Sequence, residues 1–198
     1  MQRLSLLLCL VAIGFGATLV NADEPKKADK KAEKKSAKKL DFELKDLDGK
    51  TVKLSDLKDK YVVLEWIEPT CPTCKRHAKE GTVNHLVKKY AKNKDVIVLG
   101  VCTSSRSDAR AMKAFSDQSK LQYRIVMDPT GKVGRQFGAK KTPHMYIVRN
   151  GEKLYEGAFD DDPRGRKAEA ERVNYISKAL DELLAGKKVS TSYTRPYG

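Results

Sequence analysis

Two cysteines, Cys71 and Cys74, are the residues best able to do chemistry; they lie in the stretch EPTCPTCKRH. A Cys-X-X-Cys pair can be a redox dithiol, part of a metal site or a structural disulfide. A disulfide within this pair would close too small a loop to constrain the unfolded chain much. We therefore interpret the pair as a redox dithiol.

The pair lies between a predicted buried strand, Lys60–Ile67, and a predicted helix, Lys75–Lys92. At a helix N terminus, free backbone N–H groups and the helix dipole favour a thiolate. Cysteines in such motifs have pKa values lowered from about 8.5 to roughly 3.5–7.5. Pro72 suits the first turn, where its missing N–H costs nothing. We therefore expect Cys71 to be the nucleophile and Cys74, one turn later on the same face, to resolve the mixed disulfide.

Metal binding is the first alternative. A structural zinc site needs four ligands, usually from two such pairs, and outside the N-terminal apolar segment only Cys102 remains as a further cysteine. A copper site built from Cys71, Cys74 and His144 is a further hypothesis. A lone histidine is more often a packing residue, so we predict no metal ion and no bound cofactor.

Four other polar residues lie near the motif or on the neighbouring strand. Glu65 and Glu68 flank the dithiol, and one of them could move protons to Cys74 if burial raised its pKa; a surface charge at the strand end is the alternative. His77 is expected to be a solvated residue of the helix. Cys102 ends a buried strand and is expected to be a packed core thiol.

The remaining pattern predicts one α/β domain over residues 40–186, with a mixed central sheet, helices on both faces and an N-terminal β-hairpin. Alternating apolar residues, turn signals and helical spacing define its elements. The first hairpin covers residues 41–58, and a second covers Pro143–Phe159. The predicted strands are Lys60–Ile67, Asp95–Cys102 and Tyr123–Asp128, and the predicted helices are Lys75–Lys92, Ser107–Gln118, Val133–Phe137 and Lys167–Gly186.

A strand, then CPTC opening a helix, then Thr142-Pro143 at the start of a later strand resembles the thioredoxin superfamily. The N-terminal hairpin and the stretch DPTGKVGRQFGAKKTPHMYIV are similar to its redoxin branch, the exported thioredoxin-like and peroxiredoxin-like proteins. The resemblance covers about residues 40 to 186. It implies that Pro143 is cis and faces the dithiol, and that the backbone of Thr142 pairs with substrate.

The chain departs from two patterns of that superfamily. Thioredoxin-like oxidoreductases usually have Trp directly before the first Cys, whereas Thr70 stands there and Trp66 lies upstream. Peroxiredoxins usually have Pro, then Thr or Ser four residues later, then Cys three residues after that. At these positions Cys71 is preceded by Leu64 and Glu68, and Cys74 by Ile67 and Cys71, so neither cysteine fits the spacing. The peroxidase hypothesis, with Cys71 as peroxidatic cysteine, therefore ranks second.

The N terminus resembles a targeting segment. Residues 1–22 contain Arg3, a long apolar run that includes Cys9, and small residues up to Ala22, a pattern typical of a cleaved secretory signal. Residues 23–39 contain eight Lys and almost no apolar residues, which predicts a disordered tether. The predicted location is extracytoplasmic, in the periplasm or secreted. Residues 187–198 are expected to be a C-terminal tail.

The formal net charge of +14 belongs partly to this N-terminal region. Residues 1–39 hold nine of the 40 basic and four of the 26 acidic side chains, so the domain is basic but carries both signs throughout. It lacks the interleaved basic and aromatic residues typical of nucleic-acid binding. We expect no specific nucleic-acid partner and at most weak contact of residues 26–39 with an anionic surface.

The sequence therefore predicts an exported thiol–disulfide oxidoreductase. Its partners would be protein thiols or disulfides and a second dithiol protein that supplies electrons, so no cofactor is needed. The alternatives are a peroxiredoxin-like thiol peroxidase and a non-enzymatic or copper-binding redoxin module.

Overall fold

The computed structural model describes residues 39–103 and 107–198. The predicted signal peptide and all but the last residue of the predicted tether lie outside these ranges. Within them, no helix is both long enough and apolar enough to cross a membrane.

Seven strands and five α-helices make up the described domain. The strands are β1 (Glu43–Asp46), β2 (Thr51–Lys53), β3 (Tyr61–Trp66), β4 (Val96–Cys102), β5 (Arg124–Met127), β6 (His144–Arg149) and β7 (Glu152–Gly157). The helices are α1 (Pro72–Glu80), α2 (Thr82–Lys89), α3 (Ala109–Gln118), α4 (Lys132–Phe137) and α5 (Tyr175–Leu184). Short 3-10 turns occur at Leu54–Leu57 and Glu169–Glu171.

The strands form one mixed sheet in the order β2-β1-β5-β4-β3-β6-β7. The central strand β3 is parallel to β4 and antiparallel to β6. The predicted N-terminal hairpin is present as β1 and β2, which pair Leu44 with Val52. The prediction of an α/β fold with a mixed sheet and an N-terminal hairpin is confirmed.

Both faces of the sheet are covered by helices, as predicted. Successive side chains of a strand point to opposite faces, so Leu64 and Trp66 of β3 lie with Phe137 of α4 on one face. Val63 lies on the other face, with apolar residues of α2 and α5. Glu65 and Ile67 follow the same alternation as Val63, and this directs the Glu65 carboxylate towards the side of α1.

The prediction of a single helix over Lys75–Lys92 is wrong. The structure has two helices, α1 and α2, separated by Gly81, which has the left-handed backbone angle φ 69°. Glycine adopts this conformation without the steric cost that a Cβ imposes, so it often ends a helix. The apolar residues with helical spacing, Val83, Leu86, Val87 and Tyr90, all follow Gly81, so this spacing supports α2 and does not extend into α1.

The predicted helix Lys167–Gly186 is shorter in the structure. The Asn174 side chain accepts a hydrogen bond from the Ser177 amide and caps α5, so the helix starts eight residues late. Val173 lies within the predicted range but is 45% exposed, because it precedes this cap. An Asn side chain that can cap a helix favours a start at this point.

The segment 187–198, predicted as a tail, lies along β7. The Glu156 amide donates to the Ser192 carbonyl oxygen at 3.0 Å, and the Thr194 amide donates to the Glu156 carbonyl oxygen at 3.1 Å. These bonds give the C-terminal segment a defined path on the sheet edge.

Candidate active site

The dithiol lies where β3 gives way to α1. Cys71 is the N-cap residue of α1, with extended backbone angles, and Pro72 is the first helical residue. Cys71 is partly exposed, whereas Cys74 in the first turn is 1% exposed. The two sulfur atoms therefore differ in access: only Cys71 is open to an incoming partner.

The loop before β6 meets the dithiol. The Sγ atom of Cys71 donates to the carbonyl oxygen of Thr142 at 2.9 Å. The peptide bond between Thr142 and Pro143 is cis, and Pro143 is buried. The structure thus places Cys71 next to Thr142 and Pro143. Cys74, the fourth residue predicted for the site, lies in the first turn of α1.

The thiol of Cys71 is acidic. Hydrogen bonding from the Cys74 thiol, together with weaker bonding from Thr142 and from the amides of Cys74 and Thr73, lowers its pKa from 9.0 to about 5. Partial burial acts in the opposite direction but does not outweigh these donors. The Cys74 amide lies 3.5 Å from the Cys71 sulfur, as expected for a capping side chain. Cys71 is therefore a thiolate at neutral pH.

Cys74 has the opposite character. Its pKa is raised, first because its proton is shared with Cys71 and then because burial disfavours the charged form; the nearby Glu65 carboxylate adds to the effect. The dithiol thus consists of a partly exposed thiolate and a buried thiol. This division suits a nucleophile and a resolving cysteine, since the thiolate is the form that attacks a disulfide.

Glu65 lies behind the dithiol and is 1% exposed. It accepts a hydrogen bond of 2.6 Å from the Tyr123 hydroxyl. Burial raises its pKa from 4.5 to about 7, although the Tyr123 hydrogen bond opposes this. A cavity of about 10 Å³, near the minimum that holds one water, is lined by Glu65, Cys74, His77 and Tyr123 among others.

The sequence left the choice between Glu65 and Glu68 open. Glu68 hydrogen-bonds to the Thr70 side chain at 3.1 Å and to the Ser107 hydroxyl. Of these two carboxylates, only Glu65 lines the cavity that Cys74 also lines. Tyr123, whose hydroxyl binds Glu65, was not predicted as a site residue. An aromatic residue at a strand start is common in a protein core, and no local pattern connects Tyr123 with Glu65.

The expectation that His77 is solvated is wrong. Its side chain is 2% exposed and meets the rings of Phe159 and Tyr197 edge-on, at centroid distances of 5.9 and 6.0 Å. Burial lowers its pKa to about 4, so the imidazole is neutral at pH 7. The inward-facing position on α1 follows from packing partners that lie far along the chain.

His144 and Cys102 are also buried. His144 packs on the Tyr146 ring, and its Nδ1 lies 3.1 Å from the Tyr146 hydroxyl. Burial raises the pKa of Cys102 to about 12. Over residues 39–103 and 107–198, no three His, Cys, Asp or Glu side chains are grouped so that they could hold a metal ion. The ligands considered for copper are therefore not grouped in this way.

Curated relatives of two kinds match the chain. The thiol-disulfide oxidoreductase ResA of Halalkalibacterium halodurans is 25% identical over 163 residues, which cover 81% of this chain and 88% of that protein. The chloroplastic peroxiredoxin Q of Triticum aestivum is 36% identical over 98 residues, but these cover 49% of this chain and 42% of that protein. The oxidoreductase match is therefore the more extensive of the two.

Solved structures share the fold. An uncharacterized conserved protein from Geobacillus kaustophilus superposes with a TM-score of 0.67 and 26% identity, covering 79% of this chain and 84% of that one. A candidate thiol:disulfide interchange protein DsbE from Chlorobium tepidum gives a TM-score of 0.52 and 28% identity, covering 59% and 79%. The thioredoxin-like arrangement expected from the sequence is confirmed.

The family comparison agrees with these relatives. The model of the AhpC/TSA family matches residues 35–155, which include the N-terminal hairpin, the dithiol and the Thr142-Pro143 pair. Because the match spans more than half of the sequence, the chain belongs to the AhpC/TSA family, within the redoxin branch of the thioredoxin superfamily.

Proposed function

We propose that the chain is an extracytoplasmic thiol–disulfide oxidoreductase whose nucleophile is Cys71 and whose resolving thiol is Cys74. One observation carries this proposal: an accessible thiol with a pKa of about 5 lies one helical turn from a buried thiol with a raised pKa. The relatives named as thiol-disulfide oxidoreductases support it.

In the reducing direction, the Cys71 thiolate attacks one sulfur of a client disulfide. A new S–S bond forms between Cys71 and the client, the client S–S bond breaks, and the second client sulfur leaves as a thiolate that takes up a proton. Cys74 then loses its proton and attacks the Cys71 sulfur, which releases the first client sulfur and leaves a Cys71–Cys74 disulfide. A dithiol protein supplies the two electrons that restore the reduced pair, and oxidation of a client is the same sequence reversed.

The second step needs a base, because the Cys74 thiol is buried and its pKa is raised. We assign this role to Glu65, which lines the same cavity as Cys74. A carboxylate with a pKa of about 7 can accept and return a proton near neutral pH. The Tyr123 hydroxyl holds the carboxylate by a hydrogen bond of 2.6 Å and so acts as a positioning group.

The client chain would pair with the backbone of Thr142. Its carbonyl oxygen lies beside the Cys71 sulfur, so a peptide aligned there would present its own sulfur to the nucleophile. Pairing through backbone groups requires no particular side chains, which suits an enzyme that acts on protein disulfides.

The extracytoplasmic location rests on the sequence of residues 1–22, which has the basic start and apolar run of a secretory signal. The Lys-rich residues 23–39 would then precede the domain as a tether with weak affinity for anionic surfaces.

Stopped-flow kinetics of the reduced protein test the redox proposal, with fluorescence of Trp66, the only Trp, as the signal. Rapid reaction with a model disulfide that is lost in Cys71→Ser and stops at the mixed disulfide in Cys74→Ser is the expected result. Cys102→Ala is the matched control, because that buried thiol lies outside the proposed mechanism. If Cys71→Ser still exchanges disulfides at the original rate, the proposal fails.

A thiol peroxidase is the second candidate, favoured by the partial match to peroxiredoxin Q. In this reaction the Cys71 thiolate attacks a peroxide oxygen, the O–O bond breaks, and Cys71 becomes a sulfenic acid while an alcohol or water leaves. Cys74 then condenses with the sulfenic acid and water is released. Hydrogen peroxide used in the same stopped-flow experiment decides the matter: oxidation by peroxide much faster than by the disulfide would favour the peroxidase.

A further inference from the structure

The C-terminal arm, residues Ser192–Gly198, is fixed at its start. Backbone hydrogen bonds join Glu156 of β7 to Ser192 and Thr194. The Thr194 hydroxyl also accepts a hydrogen bond of 2.9 Å from the Ala158 amide and bonds to the Tyr155 hydroxyl. This point of the arm therefore belongs to the packed domain.

The next residues of the arm approach α1. The Tyr197 hydroxyl donates to the buried carboxylate of Asp160 and lies 3.5 Å from Nε2 of His77. His77 follows Cys74 by one turn and lines the cavity that holds Glu65. Tyr197 thus ties the arm to the helix that carries the dithiol.

The tip of the arm lies on the Thr142 backbone. A Cβ atom added to Gly198 would overlap the carbonyl oxygen of Thr142 and would lie 3.2 Å from Cδ of Pro143. The Lys141 ammonium donates to the Gly198 carbonyl oxygen at 3.1 Å. The oxygen of Thr142 that the tip covers is the same atom that the Cys71 sulfur contacts.

We propose that residues Arg195–Gly198 are an autoinhibitory segment that occupies the proposed client position on the Thr142 backbone. The inference rests on the proposed function, which places an extended client on the Thr142 backbone. Client and arm cannot hold that backbone together, because Gly198 fits there only for want of a side chain. A client must therefore displace the arm, while a small disulfide that needs no backbone pairing reaches Cys71 without doing so.

A client that displaces residues 195–198 has to break few contacts. Arg195 and Gly198 are exposed, and Pro196 and Tyr197 are only partly buried, while Thr194 keeps the preceding residues in place. A site that is free for a fraction of the time binds with an affinity reduced by that fraction. An arm docked for about nine-tenths of the time would slow reaction with a peptide client about tenfold.

The test compares two mixed disulfides with the same leaving group, 2-nitro-5-thiobenzoate. One carries a short extended Gly/Ser peptide and the other carries 2-mercaptoethanol; the release of the coloured thiolate is followed with the reduced full chain and with a chain lacking residues 195–198. Deletion should raise the rate constant for the peptide disulfide about tenfold and leave that for the small disulfide unchanged. An unchanged or lower ratio of the two rate constants overturns the inference.

Two point variants keep the result independent of folding defects. Tyr197→Phe removes the hydroxyl that binds Asp160 and should raise the peptide rate in the same direction, by a smaller factor. Tyr193→Ala is the matched control in the same arm, since Tyr193 is 61% exposed, and should leave both rates unchanged. Equal acceleration by Tyr193→Ala and Tyr197→Phe would contradict the inference, because the acceleration would then not depend on the contacts of Tyr197.

If neither disulfide reacts with any of the chains, the proposed function fails, and binding alone decides the inference. The same peptide with Ser in place of Cys is then titrated while the amide NMR signal of Thr142 is followed. Binding about tenfold tighter to the shortened chain supports the autoinhibitory arm. Equal binding to both chains, or binding to neither, overturns it.

Discussion

The sulfur of Cys71 lies 2.9 Å from the carbonyl oxygen of Thr142, although the two residues are 71 positions apart along the chain. A neutral thiol donates to this oxygen, whereas a thiolate has no proton to donate. This carbonyl therefore does not make Cys71 acidic; the low pKa of Cys71 comes from other groups, above all the Cys74 thiol at the start of α1.

Alkylation should show an acidic nucleophile. We expect the rate of reaction of the reduced protein with iodoacetamide to rise with pH around a midpoint near 5, the pKa of Cys71. Cys74 and Cys102 should stay unmodified through neutral pH, because their pKa values are raised. Mass spectrometry identifies the modified residue, and Cys71→Ser is the control. A midpoint near 9 would contradict the structure.

Removal of the Cys74 thiol should make Cys71 less acidic. The largest contribution to its low pKa is the hydrogen bond from Cys74, so Cys74→Ala should shift the alkylation midpoint upward by about one unit or more. Cys74→Ser keeps a hydroxyl donor at the same place and should shift the midpoint less. Identical midpoints in these two variants and the parent protein would show that Cys74 does not stabilise the Cys71 thiolate.

Glu65 should make the free energy of unfolding fall with rising pH. Its folded pKa of about 7 lies above the ordinary 4.5, so between these values the folded state binds more protons than the unfolded state, and stability is lost as pH rises. Glu65→Gln should remove this loss, of order 3 kcal/mol. Urea unfolding of both reduced proteins at several pH values between 4 and 8 measures the difference. Parallel stability curves would exclude a raised pKa for Glu65.

Glu65→Gln should also slow the second chemical step. The mixed disulfide between Cys71 and a client should accumulate, since Cys74 loses its nearby proton acceptor, while the first attack by Cys71 changes little. Acid quench and mass spectrometry measure the intermediate. Resolution at the parental rate in Glu65→Gln would remove Glu65 from the proposed mechanism.

Tyr123→Phe should raise the pKa of Glu65 further. The Tyr123 hydroxyl stabilises the charged carboxylate through its hydrogen bond of 2.6 Å, and this bond holds the pKa down. NMR titration of the Glu65 carboxyl carbon measures the shift. Tyr90→Phe is the matched control, because the Tyr90 hydroxyl donates to Asp181 instead; an equal shift in both variants would point to a general effect of the lost hydroxyl.

Gly81→Ala should destabilise the protein by about 1–2 kcal/mol, because the left-handed angle of Gly81 is costly for a residue with a Cβ. Gly81→Asn should cost less, since Asn tolerates this conformation better. Chemical denaturation measures both. A stabilising effect of Gly81→Ala would indicate one continuous helix over Lys75–Lys92, as predicted from the sequence.

The sequence by itself determined the features that local patterns encode. The dithiol at a strand–helix junction, the mixed sheet and the N-terminal hairpin all follow from spacing, turn residues and apolar periodicity, which depend on neighbours close along the chain. The pairing of Thr142-Pro143 with the dithiol came from the resemblance to the thioredoxin superfamily, and the structure places these residues together.

Only the tertiary structure decided which polar groups are buried and what they contact. Glu65 is selected over Glu68 by a hydroxyl 58 positions away, and His77 is enclosed by the ring of Tyr197, 120 positions away. The return of the C-terminal arm to Thr142 likewise has no local pattern, whereas the helix end at Gly81 has a local signal, the glycine itself. Burial raises or lowers a pKa through contacts between remote segments, so a pattern of neighbouring residues does not contain it.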